Sequence, residues 1–177
     1  PSRWANYVNS VAFLPYLMPS IAVGVAFFIL FSNQYFNLFN TYALLIIAGT
    51  IKYIPFASRS SLNSMLQLSG EIEEAAVIQD VPWIKRMTRI IIPIQKTSII
   101  SGFLLPFVSC MRELSLFVML VSSKTQTLTT MLMTYNEKGA SQYGNAINLL
   151  IILIVLFVNF TVNKVTGASI DKGVGGN

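Results

Sequence analysis

Long unbroken blocks of apolar residues, separated by short polar stretches, dominate this chain; the narrow apolar stripe of a surface helix is not its rule. Four blocks, about 11–31, 41–58, 97–121 and 146–162, fall within the roughly 17–25 residues that a membrane-crossing helix needs. The pattern predicts four spans. Three of them contain proline: Pro15 and Pro19 in the first, Pro55 in the second, Pro106 in the third. Each removes a backbone donor and favours a bend, so the spans are expected to be kinked. Gly24, Gly49 and Gly102 are expected to let helices approach closely. The last block, with its run NLLIILIVLFVNF, is apolar on every face and is expected to meet lipid.

Between the second and third blocks lies a polar insert, residues 70–93, GEIEEAAVIQDVPWIKRMTRIIIP. It predicts two short helices. Ser69 and Gly70 can cap the first, and Glu71, Glu73 and Glu74 place negative charge in its opening turn, where the helix dipole favours it. Ala75 and Ala76 would allow another surface to come close, with Ile72 and Ile78 as apolar anchors. Asp80 marks the break, since it tolerates left-handed backbone, and Pro82 suits the first turn of the second helix. There Lys85, Arg86 and Arg89 can share a side, and Pro93 is expected to close the element before the next span. Two uses fit such a hairpin: a lipid headgroup surface, or a protein partner. The acidic, alanine-rich first helix suits anionic headgroups poorly and favours the protein.

Composition fixes the class. With 54% hydrophobic and 11% charged residues and a mean hydropathy of +0.63, this is an integral membrane protein. The net charge of +5 comes from cations scattered between blocks, which argues against nucleic acid as a partner. If the 70–93 insert is cytoplasmic, Arg3, Arg59, Lys85, Arg86, Arg89, Lys96, Lys164 and Lys172 share that side, while only Lys124 and Lys138 lie opposite. The positive-inside rule supports this orientation, with 32–40 and 122–145 outside. The chain begins at Pro1, without an initiator methionine or a cleavable signal pattern, and reads as part of a longer polypeptide. One cysteine permits no internal disulfide, and the lack of histidine removes the usual near-neutral proton relay.

Charge inside the membrane is costly, which singles out Arg112 and Glu113 in the third block. Two readings stand: lining or gating of a translocation pathway, and a structural pairing with other helices. Ser109 and Ser115 could extend a polar face. Lys52 is expected to snorkel toward the cytoplasmic surface. Cys110, Met111 and Glu113 occupy adjacent helical positions that cannot all face one ion, so no defined metal site is expected. Leu128, Met131, Leu132 and Tyr135 have helical spacing and predict a short helix on the outer side, either open to a partner or folding back on the bundle. Residues 167–177 read as a flexible tail.

Glu74-Ala75-Ala76, then Asp80 after three residues, then Ile90-x-Ile92-Pro93 after nine more, resembles the EAA-x3-G-x9-I-x-L-P loop of ABC-importer permeases. Asp80 stands where that pattern has glycine and Ile92 where it has leucine. The flanking PYLMPSIAVGVAF, MRELSLFVML and TLTTMLMTY resemble the iron(III)-type permeases, whose relatives handle phosphonates, polyamines and thiamine. The resemblance covers nearly the whole chain. It implies an all-α polytopic transmembrane bundle in the bacterial cytoplasmic (inner) membrane, forming the C-terminal part of one permease unit, residues 1–166, with 70–93 as its cytoplasmic coupling loop. Glu71, Ile72, Glu73, Glu74, Ala75, Ala76 and Asp80 would contact a cytoplasmic ATP-binding subunit, which would carry the ATP and magnesium. It further implies a second permease unit, fused or separate, and an extracytoplasmic substrate-binding protein, with iron(III) as solute. No Walker-type GxxxxGK[ST] occurs in this chain, so it is not expected to be the ATPase or any other enzyme. The competing classes are a secondary transporter or channel using Arg112 and Glu113, and an assembly protein whose loop recruits a cytosolic partner.

Overall fold

The first expected span is broken. In the computed structural model, which describes residues 3–33 and 38–166, it forms two helices, α1 (Arg3–Leu17) and α2 (Ser20–Phe31). Their axes, taken over Ser10–Leu17 and Ser20–Phe31, meet at 100°. Pro15 is accommodated inside α1; Pro19, with φ −54° and ψ 132°, is the residue before α2 and starts it anew. A proline disfavours helical backbone in the residue before it, so Met18 and Pro19 together end one helix and begin the next.

The remaining elements are α3 (Tyr42–Gln67), α4 (Gly70–Ile78), α5 (Trp83–Arg86), a π-turn (Met87–Ile91), α6 (Ile92–Met111), a 3-10 turn (Phe117–Met119), α7 (Leu128–Glu137) and α8 (Ser141–Thr166). The architecture is all-α; the described residues add only one isolated bridge, between Ser122 and Thr125. By length and composition Trp83–Met111 and Ser141–Lys164 can each cross a membrane, and the bent α1–α2 pair makes a third if it is one span. The expected second span lies in α3, which at 26 residues is longer than the apolar block but carries Lys52, Arg59 and a serine-rich final third and is not among the described helices apolar enough to cross by length and composition. The expected tail at 167–177, with Lys172, and residues 34–37 of the 32–40 segment lie outside the described residues.

The chain divides into two compact units. One comprises Pro1–Pro55 and Phe107–Phe157, the other Phe56–Pro106 and Val158–Asn177. In the first, Val23, Leu44, Leu45, Ala48, Leu116, Phe117 and Leu120 form a buried core, with Phe27, Phe31, Leu38, Phe39, Cys110 and Val121 against it. Two glycines set its spacing. A Cβ on Gly24 would lie 2.8 Å from the Leu116 carbonyl oxygen, and one on Gly49 would lie 3.2 Å from Cys110 Sγ. Close helix approach, expected of both residues, is therefore what the packing uses.

The helix of the third expected span begins earlier and ends sooner than the apolar block 97–121. Apolar residues continue to Val121, yet α6 stops at Met111 and the chain turns there, leaving Arg112 and Glu113 after the helix rather than within it. At its other end Pro93 does not close an element. Trp83 to Met111 is one continuous helix of 29 residues, with Pro93 in the first turn of α6. The π-turn just before it explains the continuity: Ile92 N donates to the Met87 carbonyl oxygen, five residues back. A wider turn accommodates a proline whose ring would otherwise press on the preceding turn and whose nitrogen cannot donate.

The second unit is held by a polar seam between α3 and α6. Ser60, Ser64, Gln95 and Ser101 are buried there. Ser64 Oγ donates to the Ser60 carbonyl oxygen at 2.9 Å, and Gln95 Nε2 donates to the Ser64 carbonyl oxygen. Gly102 completes the seam, since a Cβ there would overlap the Ser60 side chain.

Candidate functional site

Both ends of α4 are fixed locally. The Ser69 side chain accepts a hydrogen bond from Glu71 N at 3.3 Å, and Glu71 and Glu73 occupy the first turn, where free N–H groups favour negative charge. At the far end Val81 N donates to the Ala76 carbonyl oxygen at 3.1 Å and Asp80 N to that of Val77 at 2.9 Å. This pair of bonds is a Schellman cap, which requires left-handed backbone just beyond the helix. Asp80 supplies it with φ +53°. The position where the loop pattern has glycine is thus the one that demands this conformation, and aspartate meets the demand with a modest penalty.

The helix has two distinct sides. Ala76 is 7% exposed and Ile72 half-buried, so they face inward rather than toward an open contact surface as expected. Glu71, Glu73, Glu74, Ala75 and Asp80 are exposed. Gly70, Glu73, Glu74, Val77 and Ile78, spaced by threes and fours and hence on one face, border an open hollow. Ile78 is 82% exposed, and Trp83 and Ile84 beyond the break are exposed as well. Val77, Trp83 and Ile84 are exposed apolar residues outside the set expected from the sequence. Val77 follows Glu73 and Glu74 by four and three residues, a signal that helical spacing could have supplied. In the second helix Lys85 and Arg89 are exposed, but Arg86 is half-buried with its Nε enclosed, so the three cations do not share one open side. The π-turn between them rotates the helix away from the ordinary spacing.

The other sequence-predicted pair, Arg112 and Glu113, separates. Glu113 Oε2 accepts hydrogen bonds from the Tyr53 hydroxyl and from Ser20 Oγ at 3.4 Å, while Oε1 accepts from Leu116 N at 3.0 Å. Its own carbonyl oxygen accepts from Thr129 Oγ1 at 2.8 Å. One residue therefore ties α2, α3, the 3-10 turn and α7 together. Arg112 is exposed and borders a different space, with Thr129 and Asn148. Of the serines, Ser109 is half-buried and Ser115 exposed.

Lys52 does not snorkel. It is 4% exposed, and its ammonium donates to the Pro15 carbonyl oxygen at 2.9 Å and to that of Met18. Pro15 lies in the last turn of α1 and Met18 just beyond it; Pro19, which has no N–H, cannot supply the helical donor that the Pro15 carbonyl would otherwise meet. Within the same unit, α7 begins with a reciprocal cap: Thr127 Oγ1 accepts from Thr130 N at 3.3 Å and Thr130 Oγ1 accepts from Thr127 N at 3.0 Å. The short helix expected over 128–135 is present, and Tyr135 stacks on Tyr143 of α8 with ring centroids 5.4 Å apart.

Comparison with known proteins bears on all of this. Over 153 residues the chain is 24% identical to the ferric transport system permease protein FbpB of Actinobacillus pleuropneumoniae, covering 84% of this chain and 22% of that protein. It is 25% identical over 158 residues to the Fe(3+)-transport system permease protein FbpB 2 of Haemophilus influenzae, covering 86% and 31%. A protein of Salmonella paratyphi A named for 2-aminoethylphosphonate transport, the permease protein PhnV, is 21% identical over 161 residues, covering 90% and 60%. The chain thus spans between about a fifth and three fifths of the length of these relatives. The model of the binding-protein-dependent transport system inner membrane component matches residues 1–169. With nearly its whole length matched, and with the apolar helices that the match requires, this chain belongs to the family of binding-protein-dependent transport system inner membrane components.

Proposed function

We propose that this chain is the membrane-spanning and coupling portion of an ABC importer that takes up iron(III), and that α4 is the element its ATP-binding partner grips. The observation that carries the reading is the exposed row Glu73, Glu74, Val77 and Ile78 on a helix whose other side buries Ala76. An acidic rim around an apolar centre, capped at both ends, is a rigid knob suited to a groove in another protein. Beyond Asp80 the same chain runs without interruption from Trp83 to Met111. A push on the knob would therefore be passed directly along the chain to the start of a spanning helix.

In this scheme the chain moves solute and makes no bonds. ATP and magnesium sit on the partner, and their differential affinity for its open and closed forms supplies the bias between inward-open and outward-open states. A second permease unit completes the pathway, α7 and its flanking loops offer the outer surface to a substrate-binding protein, and α8 faces lipid. Iron rests on the likeness to the two ferric permeases; the phosphonate named for the third relative is the rival solute. The Glu113 carboxylate, already engaged by three donors, supports a structural role more than a proton or ion path through it.

The test uses the full-length protein in its own membrane. Glu74→Lys is expected to preserve the amount of protein, remove a co-purifying ATPase, and abolish uptake of labelled iron(III). An unchanged ATPase complement together with ATP-independent, gradient-driven uptake would instead identify a secondary transporter. Competition by 2-aminoethylphosphonate but not by iron would replace the solute and leave the coupling intact.

A further inference from the structure

The space beside Arg112 is a cavity of about 420 Å³ at the end of α6, between α7 and α8. Its lining is graded. Arg112, Thr129 and Asn148 bring polar groups to the lining, whereas Val108, four residues before Arg112, and Ile151 and Val155, three and seven residues after Asn148, make the rest apolar. Asn148, Ile151 and Val155 follow at three and four residues, so one face of α8 forms a continuous wall. Arg112 and Asn148 are both exposed at the mouth. The Thr129 hydroxyl donates to the Glu113 carbonyl oxygen and also pairs with Thr127 Oγ1 at 3.0 Å, which leaves Arg112 as the cationic donor of the lining.

We propose that this cavity holds a membrane phospholipid, its phosphate on Arg112 and Asn148 and one acyl chain along the Ile151–Val155 wall. Charge complementarity selects the occupant. A guanidinium offers paired donors that fit a phosphate, and an arginine at the end of a spanning helix is costly unless an anion or water meets it. The apolar end excludes a free inorganic anion as the full occupant, because such an ion leaves that wall uncovered. The wall is also continuous with an exposed apolar surface: only 6% of the α8 span is buried, and Leu149, Leu150, Leu153 and Leu156 are exposed along it. A chain entering from the bilayer would need no opening of the protein. The assignment rests on the proposed function in one respect, that α8 faces lipid.

Two measurements on the full-length protein decide it. A benzophenone amino acid at Ile152, on the cavity lining, is irradiated in the native membrane. The expected product carries the mass of a phospholipid, and Arg112→Gln lowers its yield about fivefold. A cross-link to another protein segment, from this polypeptide or a second permease unit, would overturn the proposal. In nanodiscs of phosphatidylethanolamine with phosphatidylglycerol, native mass spectrometry is expected to find one more retained phospholipid on the wild type than on either Arg112→Gln or Val155→Trp, which fills the slot without touching the cation. Equal retention by all three would overturn it as well. Co-purification of the ATPase is read from the same preparations, so loss of the lipid and loss of α4 docking are separate outcomes.

Discussion

The Lys52 ammonium donates a hydrogen bond to the Pro15 carbonyl oxygen at 2.9 Å, and it binds the Met18 carbonyl as well. A cation buried on α3 thus acts as the cap of another helix. Pro19 leaves the Pro15 carbonyl without its helical donor in a place where water is scarce, and Lys52 supplies one. Lys52→Met, similar in length but without donors, is expected to destabilise the full-length protein in detergent by about 1–3 kcal/mol, the cost of leaving buried acceptors unmet. Thermal unfolding followed by tryptophan fluorescence reads the change. An unchanged midpoint would show that α1 and α2 hold their angle by packing alone.

Glu113 makes a parallel prediction. Its carboxylate gathers Ser20, Tyr53 and the Leu116 amide from three elements. Removing one donor, by Tyr53→Phe, should cost about 1.5–3 kcal/mol of stability, as expected for a hydrogen bond to a charged acceptor. The same change made on a Glu113→Gln background should cost markedly less, and a double-mutant cycle measures the difference. If Tyr53→Phe instead leaves stability intact while abolishing solute uptake, Glu113 belongs to the pathway and not to the scaffold.

The reach of the sequence is clearest where the determinants are local. The start of α4 at Ser69 and the break at Asp80 follow from capping and left-handed propensities, and both could be placed without tertiary information. The apolar block 146–162 likewise lies within α8. Helix ends fixed by distant partners were not legible. Residues 112–121 look as apolar as the helix before them, but the chain turns there, with the Leu116 amide on the Glu113 carboxylate and Leu116 and Phe117 in the core under α2 and α3. Pro93 reads as a stop in one dimension, and only the π-turn upstream shows how the helix passes it. Lys52 was misplaced for the same reason: its partners are carbonyls at and just beyond the end of α1, and nothing near it in sequence announces them.

Asp80 offers a test of the coupling loop's geometry separate from its contacts. At φ +53° a glycine is free of the side-chain clash that aspartate tolerates and a β-branched residue does not. Asp80→Gly is expected to slow amide exchange in α4, with a gain of at most about 1 kcal/mol because glycine also loosens the unfolded chain. Asp80→Val is expected to speed it, at a cost of about 1–2 kcal/mol. Equal protection in all three proteins would mean that the cap does not hold α4 in place.

Gly102 carries the last prediction, about the seam between α3 and α6. A Cβ on Gly102 would stand 2.5 Å from the Ser60 Cβ, and Ser60 is itself buried, so neither helix can yield by rotating a flexible side chain. Gly102→Ala should therefore force the helices apart and cost about 1–3 kcal/mol, although alanine is the better helix former. Ser60→Gly on its own loses helix propensity and the 3.5 Å hydrogen bond to the Ser98 carbonyl oxygen. Together the two changes exchange which helix carries the side chain and recreate the room between them. The double variant should be more stable than the sum of the single losses by at least about 1 kcal/mol, measured as a thermal midpoint in detergent. Simple additivity would mean that α3 and α6 approach less closely at this point, and that the polar pair Ser64 and Gln95 holds the seam without help from the glycine.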